Sequence, residues 1–108
     1  MATLPLQQVS TTGLNANFSN AGAGGDVFTN TGRQIIEIVN GGGSDIVLTI
    51  VTPGTYKGKG IADDANTVPA GGRRHYGPFD PEIYNNASGQ VALAYSAVTS
   101  VTVAILQI

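Results

Sequence analysis

Chemically versatile side chains crowd together in one stretch, VPAGGRRHYGPF, residues 68–79. It holds Arg73, Arg74, the chain's single histidine His75, and Tyr76. A histidine works as an acid or base when a carboxylate orients it and a nucleophile or substrate lies beside it. Asp80 follows across a Gly-Pro step, and Ser44, Ser88, Ser96 and Ser100 supply hydroxyls, but none of them sits in a G-x-S-x-G turn. One His and no cysteine are too few ligands for zinc. Two arginines form one cation patch only if they share a face. Pro69-Ala70-Gly71-Gly72 reads as a turn and Gly77-Pro78 as a stop, so RRHY between them reads as a short strand. Strand alternation then sends Arg73 and His75 to one face and Arg74 and Tyr76 to the other. The stretch fits a sheet edge whose charges discourage stray pairing. Arg73, Arg74, His75 and Tyr76 are accordingly candidate interface residues, and no catalytic residue is assigned.

The remaining chemistry-bearing groups have structural explanations. Asp63 and Asp64 adjoin each other, and Asp80 precedes Glu82 by two positions. Paired carboxylates bind Ca²⁺ or hydrolyse glycosides, but neither pair lies in a D-x-[DN]-x-[DN]-G loop. Asp80 reads instead as a helix N-cap, with Pro81 at the first helical position and Glu82 at the favourable dipole end. Gly22, Gly24 and Gly25 would cradle a phosphate only at a strand-to-helix junction; no helix signal follows, and they read as a flexible joint. Tyr56, Tyr76, Phe79 and Tyr84 read as core and corner residues, and NAS at Asn86 as a turn. No metal and no cofactor is expected.

The elements that must position these groups are strands. RQIIEIV (33–39) puts Ile36 and Ile38 on one face and Ile35, Glu37 and Val39 on the other. NGGGSD (40–45) reads as a hairpin loop. IVLTIV (46–51) is apolar on both faces, as in a strand covered on both sides, and Pro53-Gly54 ends it. QVALAYS (90–96) and VTVAILQI (101–108) alternate and are rich in β-branched residues. Together they predict an all-β fold, an antiparallel β-sandwich or jelly-roll-like barrel of about seven or eight short strands, with at most one helical turn near residues 80–85. Residues 1–25 read as a polar N-terminal arm or short strands, and residues 26–108 as the sandwich domain. The last strand is apolar on both faces too. A sandwich wets its outer faces, so such strands predict cover by the arm or by another subunit.

Composition narrows the function classes. The chain has 108 residues, no cysteine and a net charge of −2. Charged residues make up 11%, against about 25% in a typical soluble domain. No basic run supports nucleic-acid binding. No stretch has the length of a membrane span, and MATLPLQQVSTTG lacks the basic start and apolar run of a signal peptide. A chain made in the cytoplasm is expected.

FTNTGRQIIEIVNGGGSDIVLTIVTPG, TVPAGGRRHYGPFDPEIYNN and GQVALAYSAVTSVTVAIL, together residues 28–108, resemble a group of small structural proteins of tailed-bacteriophage virions. The markers are the N-G-G-G loop, the V-P-A-G … G-P-F strand, the I-Y-N-N turn and the alternating last strand. Proteins of this kind are similar to capsid decoration (cement) proteins. The resemblance implies a non-enzymatic homo-oligomer, a trimer by the family's habit, that binds a major capsid protein on the outer surface of the head. It implies no catalytic or cofactor residue, no nucleic-acid partner and no membrane. The alternatives are a head–tail connector or tail component, and a carbohydrate-binding module using Tyr56, Tyr76 or Tyr84 beside Asp63 or Asp64.

Overall fold

The computed structural model describes residues 2–108, with the backbone alone for Thr55 and Tyr56. Its strands are β1 (Ala2–Thr3), β2 (Leu6–Gln8), β3 (Ser19–Asn20), β4 (Asp26–Thr29), β5 (Gln34–Asn40), β6 (Ile46–Ile50), β7 (Thr55–Tyr56), β8 (Lys59–Gly60), β9 (Asp64–Val68), β10 (Arg73–Tyr76), β11 (Gln90–Tyr95) and β12 (Val101–Gln107). One helical turn, α1 (Pro81–Tyr84), lies between β10 and β11. The strands of four or more residues are β4, β5, β6, β9, β10, β11 and β12. Six of these lie where the sequence pattern puts strands; β9 does not, since residues 55–67 read as loop-like, its mostly exposed DANTV being recruited by pairing with β6, and the other additional strands are two- or three-residue segments.

Two sheets pack face to face. Sheet A has the order β1-β4-β11-β6-β9, and sheet B the order β10-β5-β12-β2, with β3 also on β12. The neighbours are antiparallel except at the N-terminal strands: β1 runs parallel to β4 and β2 parallel to β12. Alternation decides what each strand buries. Ile36 and Ile38 of β5, Leu48 of β6, and Val103 and Ile105 of β12 are fully enclosed together with Phe28. Each such side chain contributes about 1.5–3 kcal/mol by leaving water.

Three sequence expectations are corrected. The 40–45 loop is not a hairpin: β5 pairs with β10 and β12, β6 with β9 and β11, so the loop carries the chain from sheet B to sheet A. Strand 46–51 is not covered on both sides. Ile46, Leu48 and Ile50 are buried, whereas Val47 and Thr49 are half-exposed on the outer face of sheet A. Nor is the 22–25 segment a loose joint. Gly25 N–H donates to Gly22 O at 2.9 Å. Gly25 has φ +89 and a Cβ there would stand 2.4 Å from Leu93 O, so the turn demands glycine.

The N-terminal residues are part of the sandwich. Leu4 is buried between β1 and β2, and the chain crosses there from the edge of sheet A to the edge of sheet B. Residues 69–72 cross in the same sense at the other edge, from edge strand β9 of sheet A to edge strand β10 of sheet B. Turns between the sheets are tied by buried amides. Asn40 Nδ2 donates to Ser44 O and Val68 O, and its Oδ1 accepts from Gly42 N–H. At the other end of β5, Gln34 Oε1 accepts from Thr31 N–H at 2.7 Å while Nε2 donates to Gln107 Oε1 at 3.0 Å. Asn30 binds Phe79 O and Asn85 in the same manner.

One carboxylate is wholly buried. Asp26 is 0% exposed and accepts from Tyr95 Oη at 2.8 Å, Gly22 N–H at 3.0 Å and Ala2 N–H at 3.4 Å. Burial first, then the bond to Asp26, pushes the Tyr95 phenol well up. The bond to Asp64 and then burial push Tyr84 up to about 12. Both phenols hold their protons more tightly when folded than when unfolded. Their stabilisation is therefore complete below about pH 10 and is lost as pH rises beyond it. Urea unfolding midpoints should stay level to about pH 10 and then fall. Tyr95→Phe should flatten that fall and cost about 1–3 kcal/mol at neutral pH, because a buried carboxylate oxygen loses a donor. A parent protein whose midpoint holds level through the alkaline range would refute this assignment.

Candidate functional site

RRHY forms β10, the edge strand of sheet B, with the bounds that its flanking turns predicted. Its register against β5 sets Arg73 opposite Val39, Arg74 opposite Ile38, His75 opposite Glu37 and Tyr76 opposite Ile36. Arg73 and His75 therefore share the outer face, while Arg74 and Tyr76 take the other. Tyr76 packs against the core from there. Burial raises its phenol pKa, and neighbouring Arg74 partly offsets the rise.

The outer face holds a charge cluster centred on Glu37. Arg73 Nη1 lies 3.4 Å and His75 Nε2 3.2 Å from Glu37 Oε2. The Glu37 side chain is only 11% exposed, whereas those of Arg73 and His75 are 59% and 54% exposed. Ala104 of β12 stands across from Glu37 on its other side and is itself buried. Arg73 and His75 thus form the lid over a nearly buried carboxylate. Arg74 turns along its own strand, its Nη1 donating to Arg73 O at 2.9 Å. That bond occupies a carbonyl of the edge strand, which blunts it against stray pairing.

Glu37 is the residue that sequence reasoning missed. Asp80, the carboxylate nearest to His75 in sequence, caps α1, its Oδ1 accepting from Glu82 N–H at 2.9 Å. The available signal was alternation, which put Glu37 on the outward face of RQIIEIV. The serines have their own settings. Ser96 Oγ accepts from Val47 N–H, and Ser44 and Ser100 lie in loops at one end of the sandwich. A His–carboxylate pair on an open sheet face gives a charged contact point; a nucleophile beside it would be needed for acyl transfer.

The other acidic pair divides its work. Asp63 Oδ1 accepts from Thr52 N–H at 2.9 Å and from Thr52 Oγ1 at 3.1 Å, pinning the base of the 51–63 excursion. Asp64 Oδ2 accepts from Tyr84 Oη at 2.5 Å. Among the described residues, no three His, Asp or Glu side chains gather closely enough to hold a metal ion. Tyr84 lies edge-on to Phe79, with ring centres 5.1 Å apart. Its apolar face is thus engaged with the core, as is Tyr76's, and the Tyr56 side chain lies outside the described residues. A pocket of about 270 Å³ opens between the 41–45 and 96–100 loops, lined by Gly42, Gly43, Asp45 and Thr99 among others. That volume is at the low edge of ligand sites, which run about 300–1,000 Å³.

The two outer faces differ in charge. Sheet A presents Thr3, Val47, Thr49, Ala92 and Ala94, and no outward side chain on its five strands is charged. Sheet B presents the Glu37 cluster. The exposed large hydrophobics, Val9, Phe18 and Ile108, adjoin the ends of β2, β3 and β12.

Charge removal should be asymmetric. Glu37→Gln leaves two well-solvated side chains, Arg73 and His75, and its cost should stay within about 1 kcal/mol. Arg73→Ala with His75→Ala strands a nearly buried carboxylate, and should cost more, about 1–3 kcal/mol. Urea titrations of the two variants give the ranking, and the opposite order would show that the lid is not needed.

No family model, curated protein or solved structure matches this chain, so the resemblance of residues 28–108 to virion proteins rests on the quoted motifs alone.

Proposed function

We propose that this chain is a non-enzymatic virion component, a capsid decoration protein that self-associates, as a trimer by the family's habit, and stabilises the head by bridging capsid subunits from the outside. The observation that carries the reading is the uncharged outer face of sheet A. Depletion of charge, more than bulk hydrophobicity, marks the centre of protein–protein contacts. Small Thr, Ala and Val side chains on a sheet also let a flat partner approach closely. The strand motifs that resemble virion proteins supply the setting. In this reading the uncharged face docks on the capsid. Residues 9–18, flanked by Val9 and Phe18, reach a neighbouring subunit. Multivalent attachment to a lattice then raises avidity above any single contact, and binding free energy present only in the assembled shell stabilises that shell.

The test is sedimentation of the purified protein with undecorated capsids. Wild type is expected to co-sediment. Ala94→Arg, which puts a charge on the sheet A face, should weaken binding at least about tenfold, the effect of roughly 1.4 kcal/mol. Arg73→Ala with His75→Ala, checked for folding by circular dichroism, should bind as wild type does. Absence of binding to capsids and to isolated capsid subunits alike would sink the decoration reading. A monomeric mass by light scattering at micromolar concentration would remove self-association.

A further inference from the structure

Asn40-Gly41 is the only Asn-Gly step in the chain. This dipeptide carries its own chemistry. The backbone nitrogen after an asparagine attacks the side-chain Cγ, the C–N bond of the amide breaks, ammonia leaves, and a succinimide ring closes. One water then opens the ring to aspartate or isoaspartate. Glycine in the second position favours attack because no Cβ hinders the approach.

The fold blocks each requirement. Gly41 N–H, the nucleophile, donates to Ser100 O at 2.8 Å. The Asn40 amide is held from both ends: Nδ2 donates to Ser44 O at 2.8 Å and Val68 O at 3.1 Å, and Oδ1 accepts from Gly42 N–H at 3.1 Å. The residue is 0% exposed, so water cannot reach the ring carbonyls. The same packing favours the reactive pair. A Cβ at position 41 would stand 3.1 Å from Ser100 O, tighter than most real contacts. An amide at position 40 is what supplies donors to two carbonyls and an acceptor to one N–H.

We propose that Asn40-Gly41 is a self-modification site gated by folding: inert in the native sandwich, and reactive once the sandwich unfolds. The product cannot resume the native bonds. A carboxylate at position 40 would aim acceptor oxygens at the Ser44 and Val68 carbonyls in a buried place with no cation among its bonded neighbours. An isoaspartate would add a backbone atom at the end of β5. Conversion is therefore one-way, and chains that linger unfolded are removed from the pool able to refold and assemble.

The experiment incubates the full chain in mildly alkaline buffer, native in one arm and held unfolded in urea in the other. The tryptic peptide 34–57, which contains no other asparagine, is followed by mass spectrometry. Conversion is expected in the unfolded arm. The native arm should be slower by the folding equilibrium constant, roughly 10³-fold or more, because only the unfolded fraction reacts. Sub-transition urea should raise the native rate in step with that fraction. Gly41→Ala should slow the unfolded arm sharply, which identifies the Gly41 nitrogen as the nucleophile. Asn40→Asp should fail to fold or unfold at much lower urea. Equal rates in the two arms, a native rate indifferent to urea, or no conversion when unfolded would overturn the gate. An Asn40→Asp chain with the parent's midpoint would overturn the one-way outcome.

Discussion

A buried backbone group must find a hydrogen-bond partner, and this chain meets that demand with buried side-chain amides at the turns between its sheets. Apart from β6 to β9, every connection between successive strands from β4 onward, the small β7–β8 pair aside, crosses between the sheets. Such crossings bring turn backbone inward, where a free N–H or C=O costs about as much as a lost hydrogen bond. Asn30, Gln34 and Asn40 resolve the cost. An amide carries donors and acceptors without charge, so each can serve a carbonyl and an N–H at once. Among the described residues no buried side-chain nitrogen or oxygen lacks a partner. β5, the strand with an amide at each end, is thereby fixed in register between β10 and β12, and the register in turn sets His75 over Glu37.

The scarcity of charge follows from the same solution. Where amides do the internal work, carboxylates and cations are left for loops, edges and one face. Asp26 is the exception, a carboxylate whose hydrogen bonds come from a phenol and two backbone N–H groups. Its place at the start of β4 lets one side chain gather β1, the 22–25 turn and β11. The outer faces then diverge. Sheet B keeps a charged cluster near its edge, while the outer face of sheet A is left without charge, and the molecule has two chemically distinct sides.

Much of this was legible from residue order. Alternation placed β5, β11 and β12, the Asp80-Pro81 cap placed α1, and the Gly/Pro punctuation placed β10 to the residue. Pairing was not legible, for physical reasons. A glycine-rich loop such as NGGGSD has the same local chemistry whether it closes a hairpin or spans two sheets; the difference lies in which strands can bury their apolar faces together. IVLTIV looked two-sided because Val47 is apolar, yet an outer sheet face tolerates valine. The N-terminal strands are too short to show a period. The Glu37–His75 pair joins residues far apart in the chain, and only strand register, a tertiary property, brings them together.

The parallel pairing of β2 with β12 has a mechanical meaning. The two strands run in the same direction, joined at Leu6–Ile105, Leu106–Gln7 and Gln107–Gln8. Tension drawn outward along the beginning of β2 and the end of β12 pulls the strands past each other along their length. Their cross-strand bonds then share the load together, whereas an antiparallel hairpin pulled at its open end yields bond by bond. The chain's two ends are thus tied by a shear joint, which resists stretching better than its few residues of pairing would otherwise allow.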